Sequence, residues 1–574
     1  MSDQASPGIV VARALVWLLG VYAVVLQAGL QQGAVLLMAF GLVPFACRCA
    51  GIAVDRCSGQ DRARHRPALA EVVRRARARP DMQWLGHGEQ WTPARAAGST
   101  LDASRPEANA AWRASQARAI HVPHAVLSSH VLILGQTGSG KTRLASLLAT
   151  SFIARHPDGA LILLDPKGDE GLRTVLRRAC EASGRSQSFL ELDLARPAQS
   201  VRFDPMRNHV RTTSLASRVS ALLPDARAGS PFAAFAWREL LVLSDAMLYT
   251  SARPTLAALR AAVEGDGRAL LGRALEVWST RAPPAATGAF TRSQCFRAPD
   301  RLVAFYRAMV RERPACAEPV IDALIDVVSH DRAHRSKMIQ SLLPLMAALT
   351  SGELRALLSP AEDPADARPV FDSRKVIDQA RVFYVGLDVL SDPVVGGALG
   401  SLLLADLAQV AGQRTRVGGA PVLVMIDEAA ELAGEPLLQL LNKSRGVGFQ
   451  LVLAAQTVYD FEARLGGAAM AHALLGNPGN LIALRTSDAG TQRFFTEALP
   501  PIDRQERSRS GSMTTRSNSS GAPGAATSGW QARRAQVEWV PPGALSQLPD
   551  LHFFARTADG RVWRGALPLL AADA

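Results

Sequence analysis

The segment Gly135-Gln-Thr-Gly-Ser-Gly-Lys-Thr142 restricts what this chain can fold into more than any other. It stands directly after the apolar run HVLILG and directly before TRLASLLATSFIA. A strand therefore has to enter it and a helix has to leave it. Its glycines let successive backbone N–H groups converge at a helix N-terminus, a place that attracts phosphate. Lys141 then offers charge to β- and γ-phosphates, and Thr142 offers a hydroxyl to Mg2+. In this strand–loop–helix setting, GxxxxGK[ST] predicts ATP and Mg2+ as cofactors. The binding set is Gly135, Gln136, Thr137, Gly138, Ser139, Gly140, Lys141 and Thr142.

The surrounding pattern predicts an α/β fold. ALILLD ends at Asp165, the helical EGLRTVLRRACEA follows, and another strand comes near 188–192. Strands that alternate with helices indicate a parallel sheet covered on both faces. From 212 to 352 apolar residues recur at three- and four-residue spacing, so that stretch reads as an all-α insertion. The α/β pattern resumes with RVFYVGLDVL, a helix over about 394–413, VLVMIDE, FQLVLAAQT and a strand near 481–486. The domains expected are 121–211 and 353–502 for the two parts of a nucleotide-binding domain, with 212–352 between them. Residues 503–533, rich in Ser, Arg and Gly, read as a disordered loop. The pieces HFFARTA and VWRGAL, within 534–574, read as strands returning to the sheet.

Parallel strands present their C-terminal ends to a ligand crevice. Asp427 and Glu428 end the apolar strand VLVMI there. Asp427 is placed to hold Mg2+ together with Thr142, and Glu428 to activate a water. An acid pair at a helix N-terminus is the plainer alternative. Gln456 ends the next strand, either as a γ-phosphate sensor or as a polar strand end. Asp165 and Lys167, in LLDPKGD, stand at the same kind of edge or simply form a Pro-Gly turn. Arg445, in NKSRGVG, is a surface arginine or an arginine finger reaching a neighbouring subunit, with Arg485 a weaker candidate.

Two apolar runs, 14–30 and 33–54, are separated by Gln31 and Gln32 and flanked by Arg13 on one side and Arg48 and Arg56 on the other. Each is long enough to cross a bilayer, and the flanking arginines put both ends in the cytoplasm. A two-helix transmembrane hairpin over 1–57 is expected; a cleaved signal peptide or buried helices are the alternatives. The segment 58–120 reads as a linker and lead-in, its Arg62 to Arg79 part a basic stretch held at anionic headgroups. The formal charge of +13 calls for an acidic partner, nucleic acid or lipid. The six cysteines form no CxxC pair, which argues against zinc and against a disulfide framework.

Taken together, the motifs resemble the type IV coupling proteins of conjugation, in the TraD/TraG group of integrating conjugative elements. The resemblance rests on the N-terminal hairpin, WLGHGEQWT, the Gly135–Thr142 loop, DPKGD, SVRFDPMRNHVRTTSLASRVSALLP, YVGLDVLSDPVVGGALG, MIDEAAELAG and SRGVGFQLVLAAQT. It implies a RecA-like P-loop NTPase sheet with an inserted all-α domain behind a membrane hairpin. It implies a hexameric ATPase at the bacterial inner membrane, multi-pass, with the bulk of the chain cytoplasmic. Such a protein binds DNA with little sequence preference and passes the relaxase-bound single strand to type IV secretion channel proteins. Residue by residue, Lys141 and Thr142 match the family's Walker A, Asp427 and Glu428 its Walker B, Gln456 its sensor glutamine and Arg445 its arginine finger. GHGEQW departs from the family's GxGFxW. An FtsK/HerA-like DNA translocase and a substrate-docking receptor that uses ATP for assembly are the competing readings.

Overall fold

The computed structural model describes residues 67–98, 118–223, 230–281, 299–361, 365–414, 419–513 and 526–570. The expected membrane hairpin lies outside them. The chain divides into Met1–Pro67 with Pro568–Ala571, and Ala68–Leu567 with Ala572–Ala574. Every element below belongs to the second unit.

Seven strands form a parallel sheet because each is a short, mostly apolar run that can be covered on both faces. They are β3 (Val131–Leu134), β4 (Ala160–Asp165), β5 (Phe189–Asp193), β8 (Val382–Gly386), β9 (Val422–Ile426), β10 (Phe449–Ala455) and β11 (Asn480–Ala483). Their order is β11-β3-β10-β9-β4-β8-β5. Four antiparallel strands extend the β11 edge: β14 (His552–Arg556), β15 (Val562–Ala566), β1 (Met82–Gln90) and β2 (Ala119–Pro123). β14 and β15, the last two strands of the described chain, lie between β11 and β1.

WLGHGEQWT was read as a lead-in, but most of it is β1. Its glycines give the reason. A Cβ on Gly86 would stand 2.1 Å from the Ala566 carbonyl oxygen, and one on Gly88 2.1 Å from that of Arg564. GHG therefore lets β15 pair closely, which an alternation of side chains cannot reveal.

The basic segment expected at headgroups is corrected from Leu69 onward. Leu69–Ala78 is a helix whose Leu69, Val72, Val73 and Ala76 are buried against the body of the domain. Arg75 lies over the Trp84 ring and Arg77 donates to the Ser183 carbonyl at 2.8 Å. The run of arginines hid a helical apolar stripe at i, i+3, i+4 spacing.

Between Thr212 and Leu358 the described elements are all helical, extending past the expected end at 352. The insertion leaves and returns through one neck, where β6 (Arg202–Phe203) pairs in parallel with β7 (Val370–Phe371). Beside the neck, Arg218 meets Asp406 at 3.1 Å, both fully buried. Asp406 belongs to Pro393–Gln413, a helix long and apolar enough to cross a membrane yet mostly buried in the fold. Its apolar surface is spent on the domain core.

The stretch 503–533, expected to be a disordered loop, is corrected where it is described. β12 (Ile502–Met513) and β13 (Ala526–Val537) pair as a separate antiparallel ribbon. Cross-strand backbone pairing orders it, the term that a compositional argument leaves out.

Three imidazoles are held in neutral form, His130 buried and His124 and His156 half-buried. His130 is 2% exposed, its Nδ1 accepts from Leu451 N–H at 3.0 Å and its Nε2 faces the Leu441 carbonyl at 3.2 Å. Burial lowers His130 to about 4, and likewise His124 and His156, against an ordinary 6.5. Folded values below the unfolded one mean that stability is full above pH 6.5 and lost as pH falls toward 4. For His130 the loss amounts to about 3 kcal/mol. The thermal midpoint is expected to fall steadily over that window. His130→Asn, which tolerates the left-handed backbone at φ 61, lowers the midpoint at pH 7 but flattens part of the decline. A flat wild-type profile from pH 6.5 to 4 would contradict the assignment.

Candidate functional site

β3 delivers the loop 135–140, and the helix Lys141–Arg155 leaves it. Gly138 and Gly140 have φ of 79° and 115°, values that glycine alone adopts without strain. Gly140 supplies no side-chain cap to the helix, so its first-turn N–H groups face the loop. Lys141 is 6% exposed, and its Nζ folds back onto the Gly135 carbonyl at 2.7 Å. These are the donors a chain of phosphates requires.

Across the loop stand the residues that end β9. Thr142 Oγ1 approaches Asp427 Oδ2 at 3.4 Å, while Asp427 Oδ1 is buried with no hydrogen-bond partner. Burial first, then the charges of Asp165 and Glu428, raise the Asp427 carboxyl to about 6. A buried carboxylate oxygen left unpaired beside a hydroxyl fits a hard divalent cation, so Asp427 and Thr142 would hold Mg2+. Bound there, the ion would neutralise phosphate charge.

Glu428 has left-handed backbone, φ 53°, which turns its side chain back toward the loop. Its Oε1 accepts from Lys167 Nζ at 2.5 Å and from Gln456 Nε2 at 3.1 Å, with Lys141 Nζ at 3.8 Å. Gln456 Oε1 in turn accepts from Thr137 Oγ1 at 3.1 Å. Gln456 thus ties the phosphate loop to Glu428.

Asp165, expected at the ligand, is placed otherwise. Its oxygens accept from the N–H groups of Lys167, Gly168 and Asp169 and from the Tyr384 hydroxyl. It holds its own loop in shape and so positions Lys167 against Glu428. Sequence reasoning put Lys167 at this edge without finding that partner. The signal lay in DPKGD, where the acid at its start satisfies the turn and leaves the lysine free to reach out.

Arg445 is exposed and precedes β10, whereas Gln456 follows it. The seven residues of β10 span roughly 20 Å, so Arg445 stands at the opposite sheet edge from its own chain's loop. There it borders a cavity of about 560 Å3 with His130, Asn442 and Asn477. Arg485 offers its carbonyl to Gln136 N–H at 2.9 Å, and its guanidinium pairs with Asp550 at 2.5 Å.

Residues 115–174 match the family described as the central domain of the helicase HerA. Residues 421–550 match the family described as the TraM recognition site of TraD and TraG. Among curated proteins none matches. Three solved structures are similar to this chain. The conjugative coupling protein TrwBdeltaN70, unbound, has 17% identity and a TM-score of 0.48 over 79% of this chain and 87% of its own. TrwB in complex with ADP and Mg2+ has 16% identity and a TM-score of 0.45 over 78% and 87%. VirB4 of Thermoanaerobacter pseudethanolicus has 13% identity and a TM-score of 0.38 over 76% and 88%.

The Lys167–Glu428 pair can be tested without turnover. In the nucleotide-free protein, Lys167→Ala is expected to cost about 1 kcal/mol, since Lys167 is 38% exposed and the pair is partly screened. Lys167→Arg, which keeps a cation, should restore most of the thermal midpoint. Equal midpoints for all three proteins would show that Glu428 does not depend on Lys167.

Proposed function

We propose that the chain is a conjugative coupling ATPase: a membrane-anchored motor that hydrolyses ATP and drives relaxase-bound DNA toward a type IV secretion channel. One observation carries the reading. Lys141, Thr142, Asp427, Glu428 and Gln456 converge at one sheet edge in a chain whose 421–550 segment matches the TraD/TraG family. The match to HerA over 115–174 fits the motor half, which an FtsK/HerA-like translocase would share. The 421–550 match favours coupling over that alternative.

In this reading the triphosphate draws Lys141 from the Gly135 carbonyl and Lys167 from Glu428, because both lysines gain a more highly charged partner. Glu428 is then free to accept a proton from the attacking water. Gln456 reports the change to Thr137 and to its own strand end. Glu428 as a water-activating base argues for turnover rather than for a docking receptor that binds ATP only to assemble.

Arg445 cannot serve its own chain's loop from the far edge of β10, so it is assigned to a neighbouring copy's nucleotide. That requires a ring, taken to be a hexamer. The two apolar runs within 1–57 supply a two-span anchor in the bacterial inner membrane, with the motor in the cytoplasm. DNA contact is mainly to phosphate and therefore salt-sensitive.

The decisive measurement is ATP turnover by the full chain, with and without single- and double-stranded DNA. Turnover should rise with DNA and vanish in Lys141→Ala. Glu428→Gln should keep nucleotide binding and lose turnover at least about a hundredfold. Arg445→Ala should also be inactive, yet mixing it with Glu428→Gln should restore part of the activity, because each supplies what the other's interface lacks. ATP that binds without being hydrolysed, even with DNA at low salt, would leave the docking receptor as the better account.

A further inference from the structure

Single apolar side chains in solvent need no explanation. The pair after β8 is different, because the backbone is fixed so as to present it. Leu390 is 78% exposed and Val394 56%, on either side of the start of the helix Pro393–Gln413. Asp388 has φ 47°, in the left-handed region that few residues besides glycine tolerate. Its Oδ1 accepts from Ser391 Oγ at 2.8 Å, and Asp392 Oδ1 accepts from the N–H groups of Val394 and Val395. The turn so built directs Leu390 outward with an acid on each side of it.

This turn is tied to the nucleotide site. Leu387 N–H donates to the Asp165 carbonyl at 2.9 Å, and Val389 N–H to that of Pro166 at 2.8 Å. Lys167, the next residue, holds Glu428. Between Glu428 and Leu390 there stand only one ion pair, one backbone hydrogen bond and adjacent residues. β9, β4 and β8 are successive strands, so the loop that follows β8 stands about 10 Å from the end of β9.

The cavity beside Arg445 has the complementary character. It holds about 560 Å3, ample for a leucine side chain, and Ala125, Val126, Leu441 and Ala558 give it apolar wall. Arg445 lines it, and exposed Lys443 is two residues away. Its one acid, Asp559, accepts from the Thr557 hydroxyl and lies 3.4 Å from Arg561.

We propose that Leu390 and Val394 of one copy seat in this cavity of the next copy. This rests on the ring reading, in which Arg445 reaches a neighbour's nucleotide. An arginine placed there brings its own cavity beside the neighbour's 387–394 turn, in a head-to-tail contact that can close a ring. The apolar pair meets apolar wall, and Asp388 and Asp392 face Lys443. The same two carboxylates would repel a nucleic-acid backbone. Because the turn hangs on Pro166, drawing Lys167 away from Glu428 moves it, so the contact carries the nucleotide state of one copy to the next.

The test places benzoylphenylalanine at position 390 of the full chain, irradiates it, and maps the cross-linked peptides by mass spectrometry. Peptides from 125–130, 441–445 or 558–559 of a second copy are expected. The reverse probe, at exposed position 125, should capture 387–394. Yield from position 390 should change at least about fivefold between nucleotide-free protein and protein with a non-hydrolysable ATP analogue, and Lys167→Ala should abolish that change. Leu390→Asp should lower turnover about tenfold, since it puts an uncompensated charge into the contact, and leave binding of a fluorescent ATP analogue intact. Leu390→Met should behave as the wild type. If Arg445→Ala and Glu428→Gln complement each other but neither probe captures the other segment, the contact is overturned while the ring stands. If that pair fails to complement and neither probe links two copies, the ring reading fails and the contact falls with it. Capture of DNA or of a different protein by position 390, in place of a second copy, would also overturn the proposal.

Discussion

Everything at the candidate site depends on the parallel register of four strands. Leu134 of β3 is level with Ala455 of β10, Leu453 of β10 with Ile426 of β9, and Ile426 with Leu164 of β4. Each strand ends within a residue or two of the others. The groups that follow, Gly135, Gln456, Asp427, Glu428 and Lys167, therefore emerge along one line. A register shift of a single residue in β9 would send Asp427 to the opposite face of the sheet. Apolar side chains on both faces of these strands oppose such a shift, so the packing of the core aligns the chemistry.

That alignment brings like charges together. Asp165, Asp427 and Glu428 occupy one buried region with Lys141 and Lys167 between them. Different physics settles each carboxylate. Asp165 receives three backbone N–H groups and the Tyr384 hydroxyl, which offset part of its burial, although burial still raises its carboxyl. Glu428 has two lysines and an amide within reach. Asp427 keeps one oxygen without a partner, which is why burial raises its carboxyl most clearly. The least satisfied of the three is the one suited to a metal ion, and the best satisfied is the one with a structural task.

The same economy of polar groups governs the insertion. Its two chains cross the neck as a paired clip, so their backbone groups are satisfied where they leave the sheet. Arg335 of the helical region meets both Glu239 and Asp266 in its interior, a buried charge held by two carboxylates. Isolated, such a charge would cost several kcal/mol; here the two carboxylates and the Val263 carbonyl satisfy it. A helical domain can then be inserted without disturbing strands on either side of it.

Local sequence determined the elements and the loop chemistry of this protein. The phosphate loop, the strands before Asp427 and Gln456, and the long helical insertion follow from glycine placement and apolar periodicity, which act over a few residues. Tertiary structure decided what those residues touch. That Lys167 reaches Glu428 across 261 residues, that Asp165 serves its own turn, and that Arg445 lies at the opposite sheet edge from its own chain's Gly135–Thr142 loop are consequences of strand order. Periodicity is silent about strand order. Nor could composition foresee that arginine-rich segments would fold. Leu69–Ala78 is held by an apolar stripe packed on another part of the chain, and Ile502–Met513 by a strand that pairs with it. In both, the stabilising partner lies outside the segment itself, so the local pattern alone reads as solvated.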